Sequence, residues 1–388
     1  MKVSSGYRGD AVRSDCYTEL WNENGNNQIF LKSKVKTLYG KSIEALCLEI
    51  LEFFKLKGIS VNIEDSGALP FVLAARLEAA IKKLITTEKS FLFEKISENN
   101  YSVESNRFRR SRLYIPGDNP KMMINAGIYG SDAVILDLED AVLPEKKQEA
   151  RLLVRNALCQ VNFYGAERMV RINQVPEGLK DLEYIVPFGV NTIVIPKCES
   201  PDDILFVEQH IRKLSGQYDT VHLIPIIESA LGVENAFEIA ISSGNVVALA
   251  IGLEDYTSDI GALRTEQGNE SFFARSRIVN AARAAGIQPL DSVVSNFEDL
   301  DALAAAAQSS KALGFEGMGC IHPGQIQTVN KGFSPSEREI EKAKKIVFSF
   351  HQAEKEGRGV VAVDSGMVDA PCLTGHRKPL IMRSFSDY

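Results

Sequence analysis

Leu223-Ile-Pro-Ile-Ile-Glu228 and, about 25 residues further on, Val247-Ala-Leu-Ala-Ile-Gly-Leu-Glu-Asp255 are the stretches that decide the fold. Each is a short apolar run, of the kind that forms a strand buried on both faces. Each ends abruptly in carboxylate, at the strand end where parallel-sheet enzymes keep their ligands. A single carboxylate so placed reads first as an N-cap or loop solvation group for the following helix. Two consecutive strands ending this way favour a shared site.

Working outward, the same unit repeats from residue 111: an apolar run, a polar residue, a turn and an amphipathic helix. The runs begin at Leu113, Ala133, Met169, Thr192, Leu223, Val246, Pro289 and Met318. Helical spacing fills the gaps, as in Lys146–Leu158, Phe272–Arg283 and Leu300–Ala307. Eight such units in about 210 residues predict an α/β fold, a (β/α)8 TIM barrel. A doubly wound open sheet is the alternative, but the Gly117-Asp-Asn-Pro120 turn after the first run lacks the glycine-rich dinucleotide fingerprint.

A barrel turns the strand-end residues toward one mouth: Glu139 and Asp140, Arg171 and Asn173, Lys197, Glu228, Glu254 and Asp255, Asp291, and His322. His322, ahead of Pro323, reads as either structural or catalytic, and Lys197 as a partner for the acidic rim. Carboxylates without a matched cysteine or histidine set suit a hard divalent cation such as Mg2+, with Glu228 and Asp255 the natural pair. A 2-oxo acid would complete that site through its carboxylate and keto oxygen. Arg171 is placed to hold a substrate carboxylate and to stabilise an enolate. The set suits making or breaking a carbon–carbon bond next to a polarised carbonyl.

Ahead of the barrel, residues 1–88 read as a small α+β unit. Strand alternation marks Ser14–Leu20, Gln28–Val35 and Ser60–Glu64; helical spacing marks Ser42–Phe54 and Ala68–Ile81, with Pro70 in the first turn of the second helix. Residues 89–108 are expected to be a linker, and 109–388 the barrel with a C-terminal helical extension. The basic run Arg107-Phe-Arg-Arg-Ser-Arg112 opens the second part and reads as either a linker flank or an anion-binding entry to the first strand.

Composition narrows the class. A net charge of −7 argues against a nucleic-acid-binding surface. Residues 1–88 hold 12 Lys+Arg against 11 Asp+Glu, so the acidity belongs to the remainder. No apolar run approaches the ~20 residues of a membrane span, and the first residues lack the apolar core of a signal peptide. Six scattered cysteines without a CxxC pair read as reduced thiols of a cytoplasmic protein.

Two resemblances sharpen this. Arg112-Leu-Tyr-Ile-Pro-Gly-Asp-Asn119, Val134-Ile-Leu-Asp-Leu-Glu-Asp-Ala-Val142, Val170-Arg-Ile-Asn173, Ile195-Pro-Lys-Cys-Glu-Ser-Pro201, Pro225-Ile-Ile-Glu-Ser-Ala230, Gly252-Leu-Glu-Asp-Tyr256 and Cys320-Ile-His-Pro-Gly-Gln325 resemble the citrate lyase beta subunit family. These are HpcH/HpaI aldolases, a group that includes malyl-CoA lyases. The resemblance implies a Mg2+-bound barrel, usually a homotrimer, with Glu228 and Asp255 on the metal and Arg171 on the substrate; Arg112 and Lys197 are further candidate substrate contacts. Ser365-Gly-Met-Val-Asp-Ala-Pro371 is similar to the family's C-terminal G-x-M-x-D-x-P segment, except that Ser365 replaces the glycine, and implies Asp369 as the catalytic acid/base.

In the N-terminal unit, Val61-Asn-Ile-Glu-Asp-Ser-Gly-Ala-Leu69 followed by Ala75-Arg-Leu-Glu-Ala79 resembles the acyl carrier protein (gamma) subunit of citrate lyase, which carries a CoA-derived, phosphopantetheine-type group on a serine. Aligning the aspartates without a gap sets Arg13 at the attachment position; a one-residue slip brings Ser14 there, and Ser4 and Ser5 are the other candidates. The expectation is a lyase cleaving a citryl thioester, carrier- or CoA-bound, to oxaloacetate and an acetyl thioester, partnered by a citrate lyase alpha (transferase) subunit. The alternatives are a malyl-CoA or beta-methylmalyl-CoA lyase, or a malate synthase-like enzyme, acting on free CoA thioesters, and a non-catalytic scaffold subunit.

Overall fold

The computed structural model describes residues 2–215, 221–355, 361–363 and 366–368. The first unit is a four-stranded sheet of β1 (Lys2–Gly6), β2 (Cys16–Asn22), β3 (Gln28–Ser33) and β4 (Ile59–Asp65), ordered β1-β2-β4-β3. β1–β2 and β2–β4 are antiparallel and β3–β4 parallel. Helices α1 (Lys36–Phe53) and α2 (Pro70–Leu84) complete it. α1 starts six residues before the apolar periodicity does, because Leu38 and Tyr39 in its first turns face solvent and give no apolar stripe.

α2 is buried on every side from Phe71 to Ile81. A helix buried all round lies between two layers. Leu73, Ala74, Leu77, Ala80 and Ile81 enter the core of the small unit. Phe71, Val72, Ala75 and Ala79 enter the main core, against α4 (Lys147–Gln160) of the barrel, which follows the short α3 (Pro120–Ile124). Two buried charged groups cross this seam. The Arg155 guanidinium donates to both oxygens of Glu78 at 3.1 and 2.7 Å. The Arg76 guanidinium meets Asp15 at 3.0 and 2.8 Å and Glu149 at 3.6 Å. The intervening chain, although free of strands and α-helices, is tied down: Phe91 is buried, and the Asn99 side chain donates to the carbonyls of Leu158 and Val161.

Eight parallel strands follow: β5 (Ser111–Pro116), β6 (Ala133–Asp137), β7 (Glu167–Arg171), β8 (Thr192–Ile195), β9 (His222–Ile227), β10 (Ala248–Ile251), β11 (Gln288–Leu290) and β12 (Met318–Cys320). They run in order around the sheet, β12 pairs with β5, and an Asp291–Met318 bridge joins β11 to β12, so the barrel closes. The TIM barrel expected from the eight runs is the observed fold. Ala133, Ile135, Met169, Val194, Ile224, Ile226, Ala248, Ala250 and Leu290 fill its lumen. Strand side chains alternate with period two, so that series continues upward into Asp137, Arg171, Glu228 and Gly252.

Candidate active site

Those continuations meet in a cavity of about 350 Å³ at the carboxyl ends of the strands, lined by Arg112, Tyr114, Asp137, Arg171, Glu228 and Asp255 among others. Glu228 follows β9 and is 6% exposed. Its Oε1 accepts the Lys197 backbone N–H at 2.6 Å. Lys197 reaches that position with φ of +48°, a left-handed conformation that costs strain in a non-glycine residue. Gly252 is needed on the other flank, since a Cβ there would run into the Glu228 carboxylate. Burial, then the charges of Asp255 and Glu139, push the Glu228 carboxyl up to about 7 against the pull of Lys197 N–H and Arg171.

Asp255 lies in the first turn of the helix Leu253–Asp259. Its carboxylate accepts no hydrogen bond from the described residues, whereas its neighbour Glu254 is held by Arg264 and Ser295. Two carboxylates facing one cavity, one raised by desolvation and the other uncommitted, fit a hard cation that draws its remaining ligands from substrate and water. Among the described residues no cluster of three or more His, Cys, Asp or Glu side chains is arranged for a metal, and Glu228 and Asp255 are the candidate pair.

Arg171, at the end of β7, is more committed than expected from the sequence. Its Nε and Nη2 grip Asp137 at 2.8 and 2.6 Å, and Nη1 meets Glu139 at 2.8 Å. Burial opposes its charge, but these carboxylates outweigh burial and raise its pKa. The Lys197 ammonium sits 3.3 Å from the other oxygen of Glu139. For Glu139 itself burial raises the pKa, against Arg171.

The remaining rim residues divide. Asp291 pairs with Arg275 at 2.5 Å and presents its carbonyl to Arg112. Asn173 is turned to Asp181. His322 caps a short helix through Nδ1 and stacks on Phe297, which favours the structural reading. Asp369 lies outside the described residues. Asp137 and Tyr114 line the cavity without having been singled out from sequence; the two-residue alternation along β5 and β6 was the available signal.

In the N-terminal unit, Ser14 is half-buried in the loop between β1 and β2, with φ of +56° and its N–H on the Ser66 carbonyl. Ser5 is 1% exposed, and Ser4 lies in β1. Among the three candidate serines only Ser14 is on a loop. That loop abuts the barrel rim: Arg76, which holds Asp15, also donates to the Asp118 carbonyl at 2.8 Å, and Tyr7 donates to the Asp118 carboxylate at 2.5 Å.

The fold and cavity define a class, the parallel-barrel enzymes that work through strand-end carboxylates and an arginine. The chain belongs to the HpcH/HpaI aldolase/citrate lyase family, which it matches over residues 110–323. Its barrel is thus that of a carbon–carbon lyase. Residues 8–84 match a second family, described as the malonate decarboxylase delta subunit, an acyl carrier-type unit. The citrate lyase subunit beta of Leuconostoc mesenteroides subsp. cremoris is 38% identical over 275 residues, covering 69% of this chain and 91% of that protein. The CitE protein of Mycobacterium tuberculosis, solved with magnesium, acetoacetate and coenzyme A, superposes with a TM-score of 0.59 at 29% identity, over 71% of this chain and 98% of that one. A citrate lyase beta subunit from the same organism, solved with oxaloacetate and magnesium, gives a TM-score of 0.52 at 30% identity, over 60% and 100%.

Proposed function

We propose that this protein is a Mg2+-dependent lyase that cleaves a citryl thioester to oxaloacetate and an acetyl thioester. The observation that carries this reading is the Glu228–Asp255 pair, facing one cavity with Arg171, in a chain of the citrate lyase family. Solved relatives bound to magnesium with oxaloacetate, or with acetoacetate and coenzyme A, support the metal and both halves of the substrate.

Bound by Glu228 and Asp255, Mg2+ would supply Lewis-acid polarisation of the oxygen that becomes the keto group. Cleavage removes the proton of the tertiary hydroxyl as its oxygen becomes a carbonyl. The carbon–carbon bond electrons pass to the acetyl α-carbon, which then takes a proton. Asp137 and Glu139 hold the Arg171 guanidinium in one orientation beside the developing enolate charge. The Lys197 backbone N–H fixes Glu228, while its side chain restrains Glu139. Asp369, by its similarity to the family's C-terminal segment, handles the α-carbon proton.

The docked carrier-like unit supports a thioester presented in cis, with Ser14 as the attachment residue, and a separate transferase (alpha) subunit to load it. A homotrimer is the assembly the family resemblance supports. The five described cysteines are free and buried, and no helix among the described residues is long and apolar enough to cross a membrane; free thiols support the cytoplasm as the compartment.

Cleavage of citryl-CoA and malyl-CoA, measured with Mg2+ and with chelator, tests the reading. The expected result is metal-dependent release of oxaloacetate from citryl-CoA, abolished in Glu228→Ala. Equal inactivity of wild type and variant on every 3-hydroxyacyl thioester would favour the scaffold. An intact-mass measurement of protein from its native host tests Ser14, and an unmodified mass removes the cis-loaded version.

A further inference from the structure

Arg112 carries a charge that no carboxylate among the described residues pairs with. It is 2% exposed and lines the cavity, opposite Ala133 on β6 and so four residues deeper along the strands than Asp137, which lies opposite Pro116. Its Nη2 donates to the Asp291 carbonyl at 2.8 Å, and its buried Nε has no partner. It forms no ion pair among the described residues; the Asp291 carboxylate is taken by Arg275. Arg76, Arg109 and Arg155, buried to the same degree, each meet a buried carboxylate. Arg168 has none either, but its guanidinium lies 4.1 Å over the Tyr101 ring and outside this cavity.

An unpaired buried guanidinium is costly unless a counter-charge arrives. Gly319, across from Arg112 on β12, also lines the cavity. A Cβ on Gly319 would press on the Tyr114 ring and the Val293 side chain. The cavity is thus two-ended. The outer end has two carboxylates suited to a cation and an arginine already neutralised by Asp137 and Glu139. The inner end has a cation still wanting an anion.

We propose that Arg112 is the subsite for the second carboxylate of the oxo-acid half, the one remote from the Glu228–Asp255 pair, and so selects a dicarboxylic over a monocarboxylic 2-oxo acid. This rests on the function proposed above and adds the element that reads the substrate's far end. Tyr114, between Arg112 and the Arg171 guanidinium 5.5 Å from its ring, separates the two cationic groups.

The test is calorimetric binding to the full-length chain with Mg2+ present, comparing freshly dissolved oxaloacetate with 2-oxobutyrate, which has a methyl in place of the far carboxylate. A charge-assisted hydrogen bond in a buried site predicts that wild type prefers oxaloacetate roughly 10- to 100-fold. Arg112→Met should bring the preference below about threefold while leaving 2-oxobutyrate affinity unchanged, and Arg112→Lys should keep part of it. Equal wild-type affinities, or a preference that survives in Arg112→Met, overturn the proposal and leave the lyase reading standing. Binding of neither acid to wild type overturns both. Should Arg112→Met fail to fold, the wild-type comparison and the lysine variant still decide.

Discussion

Replacing Arg155 by methionine separates two views of the N-terminal unit: a carrier that swings free, or a fixed part of the barrel. Glu78, on α2, is fully buried and accepts from Arg155 Nη1 at 3.1 Å, Arg155 Nη2 at 2.7 Å and the Phe91 N–H at 3.1 Å. Arg155→Met leaves that carboxylate with Lys82 at 3.7 Å and one backbone donor. Removing one member of a buried pair costs about 3–5 kcal/mol, and the residual lysine sets the expectation at the lower end, about 3 kcal/mol. That is a large part of a total of roughly 5–15 kcal/mol. Adding Glu78→Gln removes the stranded charge and should recover about 2 kcal/mol, so the pair of changes is far from additive. Urea unfolding provides the assay. Trp21, the only tryptophan, lies in β2 and reports the small sheet, while far-UV circular dichroism is dominated by the barrel. For a fixed unit both signals move together in wild type, and both shift to lower urea in Arg155→Met. A Trp21 transition well ahead of the circular dichroism in wild type, or a shift below about 1 kcal/mol in the variant, would refute the shared core.

Three further outcomes follow from the site. A carboxyl raised to about 7 by burial, then by Asp255 and Glu139, holds a proton in the metal-free fold between its ordinary 4.5 and about 7, so this group's contribution to metal-free stability declines as pH rises through that window. Mg2+ must displace the proton, so its calorimetric affinity should weaken about tenfold per unit below pH 7; an affinity flat from pH 5.5 to 8 (about the range to scan) contradicts this assignment. Asp137→Asn replaces a bidentate carboxylate with an amide and frees Arg171 to turn, so kcat on the thioester should fall roughly 10- to 100-fold with KM little changed, and steady-state kinetics that instead show only a KM effect would assign Asp137 to binding. Gly252→Ala drives a Cβ into the Glu228 carboxylate and should weaken Mg2+ binding at least about tenfold while far-UV circular dichroism stays that of wild type.

The barrel was legible because its strands are buried on both faces, so all eight appear as apolar runs even where only three residues pair, as in β11 and β12. The Glu228–Asp255 pair was legible because each carboxylate ends such a run. Asp137 was obscured by the same burial: it sits among Ile135, Leu136 and Leu138, and an unbroken apolar run hides which residues face the lumen. Alternation resolves this once the strand is known, since Ala133, Ile135 and Asp137 share a side, and so do Arg112, Tyr114 and Pro116. The left-handed turn at Lys197, which delivers a backbone N–H rather than an ammonium to Glu228, leaves no trace in residue type. Nor does the use of α2 as a shared wall, because a helix with apolar residues on all its sides looks the same whether it is covered by one domain or two.

That shared wall bears on how a thioester could reach the site. Arg76 and Glu78, in the run by which α2 resembles a carrier protein, both bind the barrel, one through Glu149 and the Asp118 carbonyl and the other through Arg155. Arg76 also fixes Asp15, the neighbour of Ser14, so the candidate attachment loop is held by the same guanidinium that meets the first turn of the barrel rim. Gly117 in that turn packs so closely on Asp137 that a Cβ would strike its carbonyl, and Asp137 holds Arg171. The path from loop to Arg171 is continuous and mostly buried. A carrier that visits several enzymes must release its partner between visits, and releasing this one would expose the Arg155–Glu78 pair and the Arg76 cluster together. The geometry therefore favours a unit that stays docked and serves one active site, with any arm on Ser14 supplying the movement the domain does not make.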